Sequence, residues 1–252
     1  MMKLHSIVLA ALLGTALAPS TMAFDIGKAL KVGTQALQAA TLTDADVKSL
    51  ANQACVQSDA ESKIAPAKNK YSKRLDTIAK ELGKEINGQP VNYKVYLEPE
   101  VNAWAMANGC IRVYSGLMDL MTDDEIIGVL GHEMGHVALG HSRKAMQTAY
   151  TVSAAKSAIG EYGGSTAAAL SGSELGKFTE TLINAQFSQS QELDADNFSY
   201  DLLTQKKLKR EALISAFQKL AQLSGGEHSM LASHPASADR AKNIETRIAS
   251  NK

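Results

Sequence analysis

Cysteine is scarce in this chain, two residues in 252, and so are proline, with five, and the aromatics, at 5%. That scarcity excludes a disulfide-dense mini-protein, a collagen-like repeat and a proline-rich disordered segment. An excess of charge of either sign is also lacking, because 26 Lys+Arg balance 26 Asp+Glu. With neither a basic field nor arginine–aromatic clustering to hold a phosphate backbone, nucleic acid is not expected as a partner. No stretch has 18 uninterrupted apolar residues, so no transmembrane segment is expected in the mature chain.

What the chain does have begins at its start. Lys3 precedes an apolar run from Ile7 to Ala18, followed by small residues, the layout of a secretory signal. Ala16-Leu17-Ala18 would place Pro19 directly after a cut, whereas Thr21-Met22-Ala23 keeps small residues at both key positions and leaves Phe24 as the new terminus. The expected division is a signal peptide over residues 1–23 and one domain over 24–252, exported to the periplasm. No cysteine follows the apolar run, so there is no lipobox cysteine for lipid attachment. In an oxidising compartment an even pair of cysteines reads as a disulfide, here Cys55 with Cys110. By the chain-entropy account, closing a loop of that length contributes on the order of 4 kcal/mol.

Helical composition covers Thr43 to Asp59 and Lys68 to Ile86, and Thr43 to Asp46 forms a capping-box pattern. Val91 to Leu97 alternates with period two. Val101 to Met106 and Cys110 to Tyr114 read as further short strands around the turn signal Asn108-Gly109, which together predict a small, mostly antiparallel sheet. Thr122-Asp123-Asp124-Glu125 opens a capped helix with Met121 and Ile126 as its staple, and Gly140 ends it. A helix is expected from Ser142 to about Ile159, then a small-residue stretch from Gly160 to Gly176 that reads either as a lid or as a plain linker. Helices over Phe178 to Leu203, Arg210 to Leu223 and Ala236 to Ala249 complete the chain. The basic cluster Lys206 to Arg210 suits a solvated face or an anionic membrane surface.

The chemistry gathers on the capped helix. Gly131-His132-Glu133-Met134-Gly135-His136 puts two imidazoles at i and i+4, on one face and within reach of one ion. Two neutral nitrogens can hold Zn²⁺ at about 2.0–2.1 Å, and a carboxylate beside them can take the proton of an activated water, which is what hydrolysis requires. Catalytic zinc normally has a third protein ligand. His141 is a poor candidate, since five residues past His136 it is rotated by roughly 140° on an ideal helix. Glu192 is better, and Asp196, one turn on and on the same face, can accept the free ring N–H of a ligating histidine.

With these motifs in view the sequence resembles the HtpX-like and CAAX prenyl protease-like zinc metallopeptidases, which are gluzincins. The resemblance runs from Tyr93 to Arg240 and rests on Asn102-Ala103-Trp104-Ala105, Gly109 to Leu117, the zinc helix through Gly140-His141, Glu192-Leu193-Asp194-Ala195-Asp196, and His234-Pro235-Ala236-Ser237 with Arg240. The signal and the short form are most similar to the family's periplasmic, single-domain branch, as is Asn87-Gly88-Gln89-Pro90, although the missing lipobox cysteine means that outer-membrane anchoring is not carried over.

The resemblance implies an α+β fold, a mostly helical zincin-type metalloprotease domain with the small antiparallel sheet packed near the zinc helix. It also implies one Zn²⁺ per chain held by His132, His136 and Glu192, with Glu133 as general base. Asn102, Ala103 and Trp104 would lie on an edge strand that pairs with extended substrate, His234 would stabilise the oxyanion, and Arg240 would assist or support it. From the residues alone, His234 before a proline could equally be an ordinary loop histidine. The expected function is a zinc-dependent endopeptidase acting on unfolded or damaged envelope proteins. The alternative is a zinc-containing chaperone or assembly factor for envelope proteins with latent protease activity.

Overall fold

The computed structural model describes residues 42–157, 172–223, 230–234 and 238–250. The signal segment and its cleavage after Ala23 lie outside the described residues, as does the stretch 158–171, which contains most of the expected lid or linker.

Helices α1 (Asp44–Glu61) and α2 (Lys70–Leu82) form the expected N-terminal layer. The Thr43 hydroxyl accepts from the Asp46 N–H, and the Asp46 carboxylate accepts from the Thr43 N–H at 2.9 Å, so the first capping box is real. Helix α2 stops short of Ile86 because Gly83 turns out of it at φ +99°. Glu85 and Ile86 instead form β1 (Glu85–Ile86), which pairs with β2 (Gln89–Pro90).

Three further strands follow, β3 (Asn92–Tyr96), β4 (Ala103–Ala105) and β5 (Cys110–Tyr114), in the sheet order β3-β5-β4. β4 pairs antiparallel with β5, through a turn at Gly109, whose φ is +81° and where a Cβ would come within 2.2 Å of the Pro90 oxygen. β3 pairs with β5 in parallel, so this sheet is mixed and not simply antiparallel. The reason is placement: β4 takes the far edge, and β5, returning from it, runs beside β3 in the same direction.

Among the described residues the remaining elements are helical: α3 (Ser115–Leu120), α4 (Asp123–Ala138), α5 (His141–Ser157), α6 (Gly172–Ile183), α7 (Gln189–Gln205), α8 (Ala212–Ala221), α9 (Met230–Ser233) and α10 (Ala238–Ser250). The architecture is therefore mostly helical α+β. The stretch read as one helix from Phe178 to Leu203 is two, because Ser188 caps a new helix with its hydroxyl accepting from the Gln191 N–H. Helix α4 runs through the main core, where Ile126, Leu130 and Met134 pack with Ile111 and Val113 of β5, Leu203 of α7 and Leu213 of α8. A second cluster lies under α1 and joins Leu50, Trp104, Met146 and Phe178.

The expected disulfide Cys55–Cys110 is present and ties α1 to the first residue of β5. Beside it the buried Arg112 guanidinium donates to both oxygens of Asp59, at 2.8 and 2.9 Å, and Asp59 also accepts from Lys94 at 2.6 Å and Tyr96 at 2.8 Å. Burial works against the Asp59 charge, but the bonds from Arg112, Lys94 and Tyr96 prevail and hold its pKa at about 2. Because the folded pKa lies below the unfolded one of about 3.9, the stabilisation is complete above that value and fades as pH falls toward 2. Allowing for screening, urea unfolding should show a loss of roughly 1–2 kcal/mol from this group between pH 6 and pH 2. In Asp59→Asn that part of the pH dependence should vanish; an unchanged slope would show that Asp59 is not the group responsible.

Candidate metal centre

The Thr122–Glu125 capping box starts α4, and both reciprocal bonds form. Leu139 caps its end and Gly140 leaves the helix at φ +76°, so the motif sits on one unbroken helical face. Against that face lies α7, at very short range. A Cβ on Gly135 would come within 3.0 Å of the Ala195 Cα, and one on Gly131 within 2.6 Å of the Ser199 hydroxyl, which itself donates to the Gly128 oxygen at 2.8 Å. The close crossing brings Glu192 and Asp196 of α7 to the histidines of α4, while Asp194 on the other face is exposed. Gly131 and Gly135 thus set the spacing of α4 and α7 at the site, a role not read from the sequence, although glycines spaced along one helix were the available signal. Gly135→Ala should cost about 1–3 kcal/mol, since the neighbour at Ala195 is backbone and cannot rotate away. Urea denaturation reads that loss, and a fully stable Gly135→Ala protein would contradict the close crossing.

Ligand-type atoms of His132, His136, Glu192 and His234 all lie within 4.8 Å of one another, and all four residues are buried. His132 Nδ1 is 2.8 Å from Asp196 Oδ1, the partner anticipated for a ligating imidazole. With the ring proton given to Asp196, His132 Nε2 is a lone pair, and it faces His136 Nε2 at 3.0 Å. Glu192 Oε1 lies 3.3 Å from His136 Nε2, and its Oε2 lies 3.6 Å from His132 Nε2. Two donors each about 2.0–2.1 Å from one tetrahedral zinc would be about 3.3 Å apart, so the spacing and the chemistry of the donor set both fit such an ion.

His234 reaches this point from a distant segment. Met230 at the start of α9 donates its N–H to the Val101 oxygen at 3.1 Å, which docks the segment beside β4, and the His234 N–H bonds the Met230 oxygen at 2.8 Å. His234 Nδ1 stands 2.9 Å from Glu192 Oε1 and 3.2 Å from His132 Nε2, while its Nε2 is 3.4 Å from Glu133 Oε1. Arg240 on α10 grips Asp196 with two bonds, at 2.8 and 2.6 Å, and places NH1 2.8 Å from Glu192 Oε2. Phe187, unnoticed in the sequence, stacks on the His136 ring at 3.8 Å between centroids. It does so because the chain between α6 and α7 turns there.

Burial sets the charge states. It pushes the Glu133 carboxyl above the ordinary range and the His136 imidazole well below its own, so His136 is neutral. Burial also opposes the charge on Glu192, but His234, His136 and His132 around it hold its carboxyl far below the usual range. For Asp196 the bonds from Arg240 and His132 likewise overcome desolvation. The centre therefore offers a neutral imidazole and an ionised carboxylate, the forms that bind metal.

β4, carrying Ala103 and Trp104, is the edge of its sheet. The Tyr114 N–H bonds the Asn102 oxygen and the Met106 N–H bonds the Cys110 oxygen, each at 2.9 Å. By alternation the backbone groups of Ala103 then point away from β5. An apolar recess lined by Trp104, Met106, Met146, Leu182 and Phe187 adjoins the strand and reaches the His136 side through Phe187.

A buried histidine–carboxylate donor group shared between two packed helices, with a spare glutamate beside it and a sheet edge alongside, defines a metallopeptidase. Residues 66–248 match peptidase family M48. The chain is 52% identical over 234 residues to metalloprotease YcaL of Escherichia coli (strain K12), covering 92% of each, and 51% identical over 251 residues to metalloprotease LoiP of the same strain, covering 99% of each. A stretch of 70 residues, 26% of this chain and 24% of its relative, is 41% identical to protease HtpX of Shewanella frigidimarina (strain NCIMB 400). This chain belongs to peptidase family M48 and is a metalloprotease.

Proposed function

We propose that residues 24–252 form one exported metallopeptidase domain that binds a single zinc ion and hydrolyses peptide bonds of unfolded or damaged envelope proteins in the periplasm. The observation that carries the proposal is the convergence of His132, His136, Glu192 and His234 within 4.8 Å in a buried site. In this reading His132, His136 and Glu192 hold the ion. Zinc, when bound, polarises the scissile carbonyl and acidifies a water molecule. Glu133 takes the proton from the attacking water and returns it to the leaving amine. Asp196 fixes the His132 tautomer and Arg240 fixes Asp196. His234, whose Nε2 faces Glu133, stabilises the charge that develops on the carbonyl oxygen.

The backbone groups of Ala103 on the edge strand, between Asn102 and Trp104, support pairing with an extended chain. Such pairing contacts backbone more than side chains, so it suits unfolded polypeptides of varied sequence. The test is to incubate the zinc-loaded protein with an unfolded polypeptide and follow new termini by mass spectrometry, with chelated protein as the blank. Cleavage only with metal is expected. Binding of the polypeptide without any cleavage would transfer the proposal to the chaperone alternative.

A further inference from the structure

His136 Nε2 is available to a metal only if the ring proton resides on Nδ1. Since His136 is 1% exposed, that N–H needs an acceptor inside the protein. At His132 the acceptor is the Asp196 carboxylate. At His136 the atom in place is His141 Nδ1, 3.1 Å from His136 Nδ1, with the two rings edge to face at 62° and 5.1 Å between centroids. On a continuous helix His141 would point elsewhere. The turn at Gly140 ends α4 and starts α5 at His141, which returns the second ring to the first.

We infer that His141 is a positioning residue for the metal centre: its Nδ1 lone pair accepts the His136 Nδ1–H, fixing the His136 tautomer and ring orientation, and its own proton is carried on Nε2. Phe187, stacked on the His136 face at 3.8 Å, restricts tilt, and His141 restricts rotation about the ring normal. A neutral acceptor also has a chemical consequence. The site already gathers Glu133, Glu192 and Asp196, and a further anion behind a ligand would make that ligand more basic and the bound ion a weaker Lewis acid. The inference rests on the reading of His136 as a ligand, and His141 itself stays outside the donor group.

The test compares the parent protein with His141→Leu and His141→Asn by chelator competition for zinc. Asn places an oxygen acceptor at the same branch position as His141 Nδ1; Leu keeps bulk and has no acceptor. Leu is expected to weaken zinc binding about 10–100-fold, and Asn to restore it to within about threefold. In NMR of the zinc-loaded protein, an exchange-protected His136 Nδ1–H signal should be present in parent and Asn and absent in Leu. Equal zinc affinity in all three overturns the inference. So does an equal loss in Leu and Asn, particularly with lowered melting of both metal-free proteins, because that pattern is a packing effect. Cleavage of an unfolded polypeptide by the parent is measured alongside. If the parent fails to cut while zinc affinity follows the series, the peptidase proposal falls and the positioning role stands; if it cuts and zinc affinity ignores position 141, the reverse holds.

Discussion

Glu133→Gln should lower the turnover of an unfolded polypeptide by about 10²–10⁴-fold while leaving zinc affinity and KM within about threefold of the parent. Glutamine keeps the shape of the side chain and removes only its capacity as a base. Glu133 is 2% exposed, and no hydrogen bond is formed by its Oε1 among the described residues. A buried carboxylate held in that state is a cost to the fold, so the variant should be at least as stable as the parent in urea. The combination of unchanged or higher stability with lost turnover marks a group kept for chemistry. If Glu133→Gln cuts within tenfold of the parent, Glu133 is not the base.

Arg240→Leu should be among the most destabilising single substitutions at the site, at about 3–5 kcal/mol in the metal-free protein. Arg240 compensates two buried carboxylates, Asp196 through paired bonds and Glu192 through NH1, and its guanidinium lies 4.4 Å from the Phe217 ring centroid. Removing it leaves both charges in the interior. Zinc would offset the loss at Glu192 but not at Asp196. Unfolding in urea should therefore show a larger deficit with chelator than with saturating zinc. Arg240→Lys should recover only part of it, because an ammonium cannot span both oxygens of Asp196 and reach Glu192. An identical deficit with and without zinc would mean that Glu192 does not face the ion.

Much of this arrangement was legible in the chain. The i, i+4 histidines, the capping box at Thr122 and the shared face of Glu192 and Asp196 follow from helical period alone, and the structure assembles those side chains as the spacing implies. The disulfide was legible because the signal-like start of the chain made an oxidising compartment the expectation, in which an even pair of cysteines reads as a bridge. The direction of β3 was not legible, since alternation reports which face a strand buries and is silent on its neighbour. The break after Ile183 was missed because helix-forming composition continues through it, whereas Ser188 capping and the stacking of Phe187 on His136 depend on a tertiary partner.

By itself the sequence determined that His132 and His136 share one helical face and that Glu192 and Asp196 share another, because those properties are set by helical geometry over a few turns. Tertiary structure alone decided how near α7 comes to α4, that His234 and Arg240 meet Glu192 and Asp196 from distant segments, and that the ring of His141 turns back to His136. Those depend on glycine contacts, a backbone bond from Met230 to Val101 and a turn at Gly140, where residues far apart in the chain or on separate helices must pack at fixed distances.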